Sequence, residues 1–465
     1  MNQVKGNLKS MNLVERLKEI LPENRITTNE TVLLNHSQDE SLHPSSLPDV
    51  VVFPQAKEEV VEILRFANEH KIPVVPFGVG SGLEGQTIPI CGGIMIDFQE
   101  MNKILDINPR DLLVVVQPGI TRLQLNAELG KHGLFFPVDP GADATLGGMA
   151  STNASGTTTV RYGAMKDNVR DLEVVLADGS VIHTGSKAKK SSSGYRLTEL
   201  FVGSEGTLGA FTELTLQVYG IPEVTVAGRA VFSSLKNAVQ AATSLLQVGV
   251  PIARMELVEA ITIKDMNKSA GTNYTEDTTL FLEFHGSKGN VDGDLEVTKE
   301  LFTGFGCYQF DIETDSIGRK KLWEVRHNHL YILKHANPGK KVLNTDVCVP
   351  LSALVEAIEF SRKCIEENGL NGSIIGHIGD GNFHAGMVLD PNNLEEVEKV
   401  DYVNEQIVKF ALSVGGTCTG EHGVGLGKMK YQQEQHGKAL DVMKSIKQVL
   451  DPNSILNPGK IFKLD

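Results

Sequence analysis

The sequence predicts an α+β protein with more than one domain. Short apolar runs alternate with helical patterns along the chain, and this alternation changes character after Gly220-Ile-Pro222. The chain has 465 residues, which is long enough for two or more domains, each with its own core. We therefore place the main domain boundary between residues 220 and 221.

Before this boundary, amphipathic helices are interleaved with short strands. The clearest helix is predicted over residues 57–70, where Val60, Ile63, Leu64 and Ala67 share one face. A second helix is predicted over residues 121–133, with Thr121 as its N-cap and a glycine at its end. Strands are predicted at 74–77, 94–98, 112–116, 172–177, 181–184 and 208–218.

After the boundary, strands at 225–232, 253–258 and 279–285 alternate with helices near 234–248 and 290–304. Longer helices are predicted at 351–367 and 394–414, with a hairpin between them. A last helix is predicted over about 430–449.

Composition excludes several classes of function. The formal net charge of −14 argues against a nucleic-acid partner, because phosphates attract a basic surface. No apolar run approaches the roughly 20 residues that span a bilayer, and the N-terminus lacks the pattern of a secretory signal. The five cysteines are scattered without a C-x-x-C pair, which excludes an iron–sulfur cluster of the usual spacing and favours a reducing compartment. We therefore expect a cytoplasmic protein, and peripheral membrane association stays open.

Two short segments predict a catalytic metal site. In Gly376-His-Ile-Gly-Asp-Gly-Asn-Phe-His384, Asp380-Gly381 is a favoured two-residue hairpin turn. Counting outward from this turn places His377 opposite His384, with Cβ atoms about 5 Å apart. Two imidazoles at that distance can share one metal ion. In the later segment Gly420-Glu-His-Gly423, Glu421 would be a third ligand and His422 would be free to move a proton.

The alternative is that the two histidines have a purely structural role, which is more common for an isolated pair across a hairpin. The glycines around Glu421-His422 favour the metal site, because glycines cluster where the backbone approaches a ligand closely.

Three glycine-rich runs, at residues 76–85, 137–156 and 201–209, predict a large bound cofactor. Consecutive backbone N–H groups in such runs can bind an anion such as a pyrophosphate. The first run contains G-x-G-x-x-G, but proline and two glycines follow it where the dinucleotide motif needs a helix. A structural turn is the alternative for any one run alone.

These segments closely resemble the FAD-binding flavoproteins of the vanillyl-alcohol oxidase type. The matching pieces include PFGVGSGLEG, PVDPGADATLGGMASTNASGT, SGYRLTELFVGSEGTLG, GHIGDGNFH, GTCTGEHGVG and LDPNSILNPGK, and they run in order from about residue 48 to the end. Within that group the chain is most similar to the FAD-linked D-lactate dehydrogenases. The glycolate oxidase D subunit and D-2-hydroxyglutarate dehydrogenase are close relatives of these enzymes.

The resemblance implies a fold with an α+β FAD-binding domain of the vanillyl-alcohol oxidase (PCMH) type at residues 1–220. A ferredoxin-like, antiparallel-sheet cap domain would occupy 221–415, and a C-terminal segment, 416–465, would return to the FAD domain. It also implies which residues bind FAD. These are Pro76, Gly78, Val79, Gly80, Ser81, Gly82, Pro140, Gly141, Thr145, Gly147, Gly148, Ser151, Asn153, Ser155, Gly156, Glu205, Gly206 and Asn457.

Family members that bind flavin covalently usually do so through a histidine in the first glycine loop. Val79 and Ser81 stand there in this sequence, so we expect non-covalent FAD.

The implied reaction is oxidation of a small D-2-hydroxy acid, such as D-lactate, to the 2-oxo acid. A zinc or manganese ion held by His377, His384 and Glu421 would polarise the hydroxyl group, and His422 would take its proton as general base. Arg326 and Lys341 match positions that contact the substrate carboxylate in the relatives. Electrons would leave to an external cytochrome, quinone or electron-transfer flavoprotein. A homodimer is an open alternative.

The substrate is the least determined part of this prediction. The hydroxyglutarate enzymes tend to carry Asn two residues after the second metal histidine, where this chain has Gly386. Losing that polar group favours a small hydroxy acid, although an open space there could also admit longer ones. A glycolate oxidase D-type subunit and a D-2-hydroxyglutarate dehydrogenase are the alternatives within the family. A non-redox flavin transferase and a non-enzymatic carrier are the alternatives outside it.

Overall fold

The computed structural model describes residues 13–327 and 329–464, apart from the side chains at 270, 325, 327, 329–331 and 336. The chain divides into two compact units. Among the described residues, the first unit comprises those up to Ser155, Gly163–Ile221 and those from Glu421 onward, and the second comprises Gly156–Tyr162 and Pro222–Gly420. The boundaries that we predicted at 220/221 and 415/416 differ by one and five residues from these. The structure also assigns the short segment Gly156–Tyr162 to the second unit.

The first unit contains two main sheets. The smaller one is mostly parallel, and its strands lie in the order Ile26–Thr27, Val50–Val52, Ile94–Asp97 and Val74–Phe77. The larger one is antiparallel, in the order Ile104–Asn108, Leu113–Val116, Ala210–Gln217, Val169–Val175 and Val181–His183. A short ribbon pairs Leu134–Phe135 with Tyr219–Gly220. Each main sheet contributes fully buried aliphatic side chains to a core of its own.

Most of the helices of the first unit are short, and they lie between the strands. The predicted helix at Lys57–His70 has the predicted bounds. Thr121 caps the next one through its Oγ1, which accepts from Gln124 N at 3.3 Å. The predicted single helix at 430–449 is wrong, because Gly437 (φ 52°) interrupts it. The helices are Glu30–Asn35, Lys57–His70, Arg122–Leu129, Leu146–Thr152, Met165–Asn168, Leu197–Phe201, Gln432–His436 and Ala439–Leu450, with 3₁₀ turns at Glu23–Arg25, Phe98–Glu100, Gly130–His132 and Met429–Tyr431.

The second unit is built on one antiparallel sheet of eight strands. Their order is Cys307–Glu313, Val224–Phe232, Thr278–Gly286, Ile252–Val258, Asn371–His377, Asn382–Leu389 and Lys341–Asn344, and Val347–Cys348 also pairs with Asn382–Leu389. The first four strands of this order are the fourth, first, third and second along the chain. Together with the helices Leu235–Gln247 and Lys288–Gly304 they form the βαββαβ arrangement of ferredoxin-like folds. The predicted fold class is confirmed.

The remaining helices of the second unit cover this sheet. Leu322 and Trp323, from a helix that the sequence patterns did not indicate, are buried in one cluster with Phe281 of the central strands. The helices are Thr159–Tyr162, Ala260–Ala270, Ser316–His327, His329–Ala336, Leu354–Glu367 and Leu394–Ser413, with a 3₁₀ turn at Leu351–Ala353. Within the described part of the chain, no helix has both the length and the apolar character needed to cross a bilayer.

Candidate active site

The hairpin formed by Asn371–His377 and Asn382–Leu389, here called the His hairpin, carries both predicted metal-binding histidines. Its register differs from our prediction, because His377 lies opposite Asn382 and His384 lies opposite Ile375. The loop therefore spans residues 378–381 and is not a two-residue turn. Val349, from a separate segment, donates its N–H to Gly381 O at 3.0 Å. Gly381 is thus paired outside the hairpin, and the predicted register is wrong.

The two histidines nevertheless lie side by side in the second unit. Both face the same side of the sheet, because the register slipped by two residues, which is the side-chain period of a strand. The ring centroids of His377 and His384 are 5.5 Å apart, with the ring planes at 84°. Both side chains are buried. The sequence thus predicted the proximity of the pair, although through the wrong pairing.

The Nδ1 nitrogen of each histidine ring lies within hydrogen-bond distance of an oxygen acceptor. His377 Nδ1 lies 2.6 Å from Glu256 Oε1, and His384 Nδ1 lies 3.0 Å from the Thr345 carbonyl oxygen. Because a carbonyl oxygen and an ionised carboxylate can only accept, each Nδ1 carries a hydrogen. The lone pair of each neutral ring is then on Nε2. A histidine that binds a metal through one ring nitrogen typically donates a hydrogen bond from the other ring nitrogen to such an acceptor.

Glu256 joins His377 to one of the predicted substrate residues. Its carboxylate is fully buried on the strand Ile252–Val258 and also accepts from Arg326 Nη2. Burial alone would raise the pKa of Glu256, but its interactions with His377 and Arg326 more than offset this and lower it. Arg326 Nε is buried and has no hydrogen-bond partner among the residues that the structure describes. Arg326 therefore has a donor left for an additional acceptor.

Asp346 fixes the chain just before Glu421. Its fully buried carboxylate accepts from Asn382 Nδ2 at 2.8 Å, from Thr419 Oγ1 at 2.6 Å and from Gly420 N at 2.8 Å. One of its oxygens lies 3.8 Å from His384 Nδ1. The structure leaves no room for a side chain at Gly420, where an added Cβ would be 2.0 Å from Asn382 Nδ2. Asp346 thus ties Gly420 to the His hairpin.

Lys341 does not lie with these residues. It is exposed at the start of the strand Lys341–Asn344, where it pairs with Leu389. Side chains alternate between the two faces of a strand, so Lys341 is on the face opposite to that of His384. This position does not support the prediction that Lys341 contacts the substrate.

The first unit contains a groove that we call the glycine groove. It consists of two adjoining cavities that share part of their lining. Both are lined by Gly78, Thr87, Thr145 and Gly148. Of the residues predicted to bind FAD, the groove is lined by Pro76, Gly78, Val79, Gly80, Ser81, Gly82, Pro140, Thr145, Gly147, Gly148, Ser151, Ser155, Glu205, Gly206 and Asn457.

Three of the predicted FAD residues do not line the groove. Gly141 is in the positive-φ region (φ 83°). Asn153 ends the helix Leu146–Thr152 in the left-handed conformation, and its Oδ1 accepts from Lys166 N at 3.0 Å. Gly156 belongs to the second unit. The structure thus gives Asn153 a local structural role.

Glu421 and His422 lie in the first unit and also line the glycine groove. Ser155 Oγ donates to Glu421 Oε2 at 3.2 Å, and Gln86 Nε2 donates to the His422 carbonyl oxygen at 2.5 Å. The predicted metal ligands are therefore divided between the units, with His377 and His384 in the second and Glu421 in the first.

Glu205 holds the chain just after His422. Its buried carboxylate accepts from Val424 N at 2.6 Å and from Gly425 N at 2.8 Å. Burial raises the pKa of Glu205 to about 7. Burial also lowers the pKa of nearby Lys460 to about 8. This carboxylate, predicted to contact the cofactor, therefore also orders the loop that carries His422.

Comparison with known proteins defines the class of this chain. Residues 48–185 match the FAD binding domain family, and residues 221–461 match the family described as FAD linked oxidases, C-terminal domain. The chain belongs to the FAD-linked oxidases. This confirms the predicted family.

Full-length relatives support the same assignment. The probable mitochondrial D-lactate dehydrogenase of Danio rerio is 44% identical over 97% of this chain and 92% of that protein. The mitochondrial D-lactate dehydrogenase [cytochrome] of Arabidopsis thaliana is 41% identical over 99% of this chain and 82% of that protein. The glycolate oxidase subunit GlcD of Bacillus subtilis is 33% identical, over 96% and 95% respectively.

Solved structures share the fold at low sequence identity. A p-cresol methylhydroxylase with bound substrate superposes with a TM-score of 0.80 at 17% identity, covering 98% of this chain and 97% of that one. An alkyldihydroxyacetonephosphate synthase gives a TM-score of 0.76 at 20% identity, covering 97% and 84%.

The glycine groove suits the FAD that this family binds. Its glycines allow a ligand to approach the backbone closely. Thr87 Oγ1 is buried, and no described residue is within hydrogen-bond distance of it. A bound polar ligand would supply a partner for this hydroxyl group.

Sequence reasoning missed Glu256 and Asp346, the two buried carboxylates beside the histidines. Glu256 lies within an apolar strand run, Ile252–Val258, and a charged residue there is rarely buried without a partner. Asp346 follows the strand Lys341–Asn344. An acidic residue within an otherwise buried strand was the available signal for Glu256.

Proposed function

We propose that the protein oxidises D-lactate or a similar small D-2-hydroxy acid to the corresponding 2-oxo acid. FAD held in the glycine groove would supply the acceptor for the hydride that leaves C2, and an external acceptor would take up the electrons. The observation that carries the proposal is the buried pair His377 and His384, whose Nδ1 nitrogens both lie against oxygen acceptors. Membership of the FAD-linked oxidases supplies the flavin chemistry.

We further propose that His377, His384 and Glu421 hold a zinc or manganese ion. The cation, when bound, would act as a Lewis acid that lowers the pKa of the substrate hydroxyl group. Support comes from the covalent chain, because Glu421 follows Gly420, which Asp346 ties to the His hairpin. Two imidazoles and one carboxylate suit both metals.

His422 is the proposed general base. Gln86 holds its backbone carbonyl, and Glu205 holds the two amides that follow within the same loop. A base fixed in this way can take the hydroxyl proton of a bound substrate. Arg326 is the proposed partner of the substrate carboxylate. Its buried Nε, which hydrogen-bonds to none of the described residues, supports this role.

A small substrate is supported by the surroundings of Gly386. An added Cβ at Gly386 would be 2.8 Å from Asn344 Oδ1 and 3.3 Å from Leu333 Cδ1. The place of the missing side chain is therefore filled, so the second reading, an open space for longer substrates, loses support. Asn344 also supplies a polar group there, which leaves D-2-hydroxyglutarate as the alternative for a direct test.

Several finer features belong to the same proposal. The FAD is expected to be dissociable, since His422 is the only histidine among the described residues that line the glycine groove. The first unit is proposed as the FAD domain and the second as the cap. The acceptor is proposed to be a cytochrome, a quinone or an electron-transfer flavoprotein, and a homodimer stays a prediction. The names of two relatives describe mitochondrial proteins and give no support to a cytoplasmic location.

A glycolate oxidase D-type subunit is the second candidate, favoured by the 33% identity to the Bacillus subtilis protein. A panel of D-lactate, L-lactate, glycolate and D-2-hydroxyglutarate, assayed by dye reduction with the purified chain alone, separates the candidates. We expect the highest kcat/KM for D-lactate. Activity on glycolate far above that on D-lactate, or activity only after a partner protein is added, would favour the oxidase subunit instead.

A further inference from the structure

The register of the central sheet places Glu256 directly against His377. The two residues are Cα partners in the adjacent antiparallel strands Ile252–Val258 and Asn371–His377. Directly opposed side chains meet on one face of a sheet. Glu256 is 0% exposed and lies in the middle of the eight-stranded sheet, with Phe281 as its partner on the other side. A charged residue in this position requires partners for its charge.

The carboxylate uses its two oxygens for two different partners. Oε1 accepts a hydrogen bond from His377 Nδ1 at 2.6 Å, and Oε2 accepts one from Arg326 Nη2. Arg326 is itself buried, on the covering helix Ser316–His327. Because the arginine occupies Oε2, Oε1 is left facing the imidazole. The Glu256 carboxylate thus lies between the guanidinium group of Arg326 and the imidazole ring of His377.

We propose that Glu256, held by Arg326, is a positioning residue that keeps the hydrogen of His377 on Nδ1 and its lone pair on Nε2. The inference rests on the proposed metal site, because Nε2 is the nitrogen that would bind the cation. Arg326 then has two tasks, since it fixes Glu256 through Nη2 and keeps Nε for the substrate. Groups that orient metal-binding histidines typically change metal affinity 10- to 100-fold when they are replaced.

Glu256→Gln tests this role with little change of shape. Arg326 can only donate, so it selects the amide oxygen of the new side chain. The amide NH₂ then faces His377 Nδ1 and makes that nitrogen an acceptor. The hydrogen of the ring moves to Nε2 and has to leave that nitrogen again before a cation can bind, which weakens the affinity. If Glu256 served only to neutralise the charge of Arg326, Glu256→Gln would not change the ring nitrogen of His377 that carries the hydrogen.

Glu259→Gln is the matched control. Glu259 lies three residues along the same segment, is largely buried, and pairs with Arg362 through both oxygens. It also accepts from Ile374 N at 2.8 Å, which a glutamine oxygen can replace. Replacing Glu259 therefore weakens a buried Glu–Arg pair of the same kind without touching His377.

The experiment measures Zn²⁺ and Mn²⁺ affinity of the FAD-loaded proteins by equilibrium dialysis in a metal buffer, with metal content determined by mass spectrometry. We expect a 10- to 100-fold weaker affinity for Glu256→Gln and wild-type affinity for Glu259→Gln. Equal affinity of Glu256→Gln and wild type would overturn the inference and leave the metal site intact. An equal loss in both variants would also overturn it. Absence of metal binding by the wild type would overturn the metal site itself.

A second measurement uses the wild-type protein and does not depend on a variant folding. Nitrogen-15 NMR of histidine-labelled protein reports which ring nitrogen carries the hydrogen. His377, assigned by its absence in His377→Gln, should be protonated at Nδ1 before metal is added and should bind Zn²⁺ through Nε2. A neutral ring protonated at Nε2 would contradict the role assigned to Glu256.

Discussion

Replacing Glu205 by Gln removes a buried charge that orders the His422 loop. The carboxylate of Glu205 accepts from Val424 N and Gly425 N, and burial raises its pKa from 4.5 to about 7. Between these two values the folded protein binds a proton that the unfolded chain has released. The free energy of unfolding of the wild type therefore falls as the pH rises from about 4.5 to about 7. The contribution of Glu205 is fully present below the lower value.

The expected size follows from the shift. A change of one pKa unit corresponds to about 1.4 kcal/mol, so the contribution of Glu205 to this fall is about 3 kcal/mol. Glu205→Gln has no such proton. It loses one acceptor for the two amides, at a cost of about 1–3 kcal/mol that does not depend on pH. Relative to wild type, the variant should thus gain about 3 kcal/mol between pH 4.5 and pH 8.

Thermal unfolding of both FAD-saturated proteins across pH 4.5–8 measures this difference. We expect the difference in Tm between variant and wild type to change by on the order of 5 °C over the range, with the variant gaining at higher pH. Flavin fluorescence in the same samples checks that both proteins stay loaded. Two Tm curves that remain parallel across the range would refute the argument about the buried carboxylate.

Two further predictions concern the residues around the His hairpin. Gly420→Ala should lower the Tm and reduce D-lactate oxidation, because the new Cβ would lie 2.0 Å from Asn382 Nδ2. Gly293→Ala is the control. Gly293 lies in the interior of the helix Lys288–Gly304 with no atom within 4 Å of its added Cβ, so this variant should be stabilised by about 0.5–1 kcal/mol. Equal effects in both variants would speak against a tight fit at Gly420. Arg326→Met should leave FAD bound and lower kcat/KM for D-lactate by roughly 10- to 100-fold, as expected for losing a charged hydrogen bond. A near-wild-type kcat/KM would show that Arg326 does not bind the substrate.

The features predicted well from the sequence are those fixed by local chemistry. Runs of glycine and small polar residues can approach a ligand wherever the chain folds, and most of the predicted residues line one groove. His377 and His384 lie on the same face of the hairpin in both the predicted and the observed register, because the two registers differ by two residues. The two side chains therefore lie close together in either case. The alternation of strands and helices predicted a second α+β domain, and the resemblance to a known family implied its ferredoxin-like sheet.

The features predicted poorly depend on distant parts of the chain. The loop of the hairpin is paired with a distant segment, since Val349 donates its N–H to Gly381 O. The contact of Glu256 with His377 exists only once the sheet order brings Ile252–Val258 beside Asn371–His377. Lys341 pairs with Leu389 and therefore lies on the sheet face opposite to His384. A shift of the strand by one residue would have placed it on the same face as His384. Sheet order and strand parity are non-local, so a single sequence does not specify them.

Anaerobic reduction of the bound flavin, followed by its absorbance, tests the central claim most directly. The claim is that a cation held by His377 and His384 and a flavin in the glycine groove act on the same substrate alcohol. We predict that D-lactate bleaches the flavin rapidly, that L-lactate does not, and that chelator-treated protein bleaches with D-lactate only after Zn²⁺ or Mn²⁺ is restored. Bleaching by D-lactate at an unchanged rate in metal-free protein, or no bleaching by any 2-hydroxy acid in protein loaded with both groups, would contradict the account.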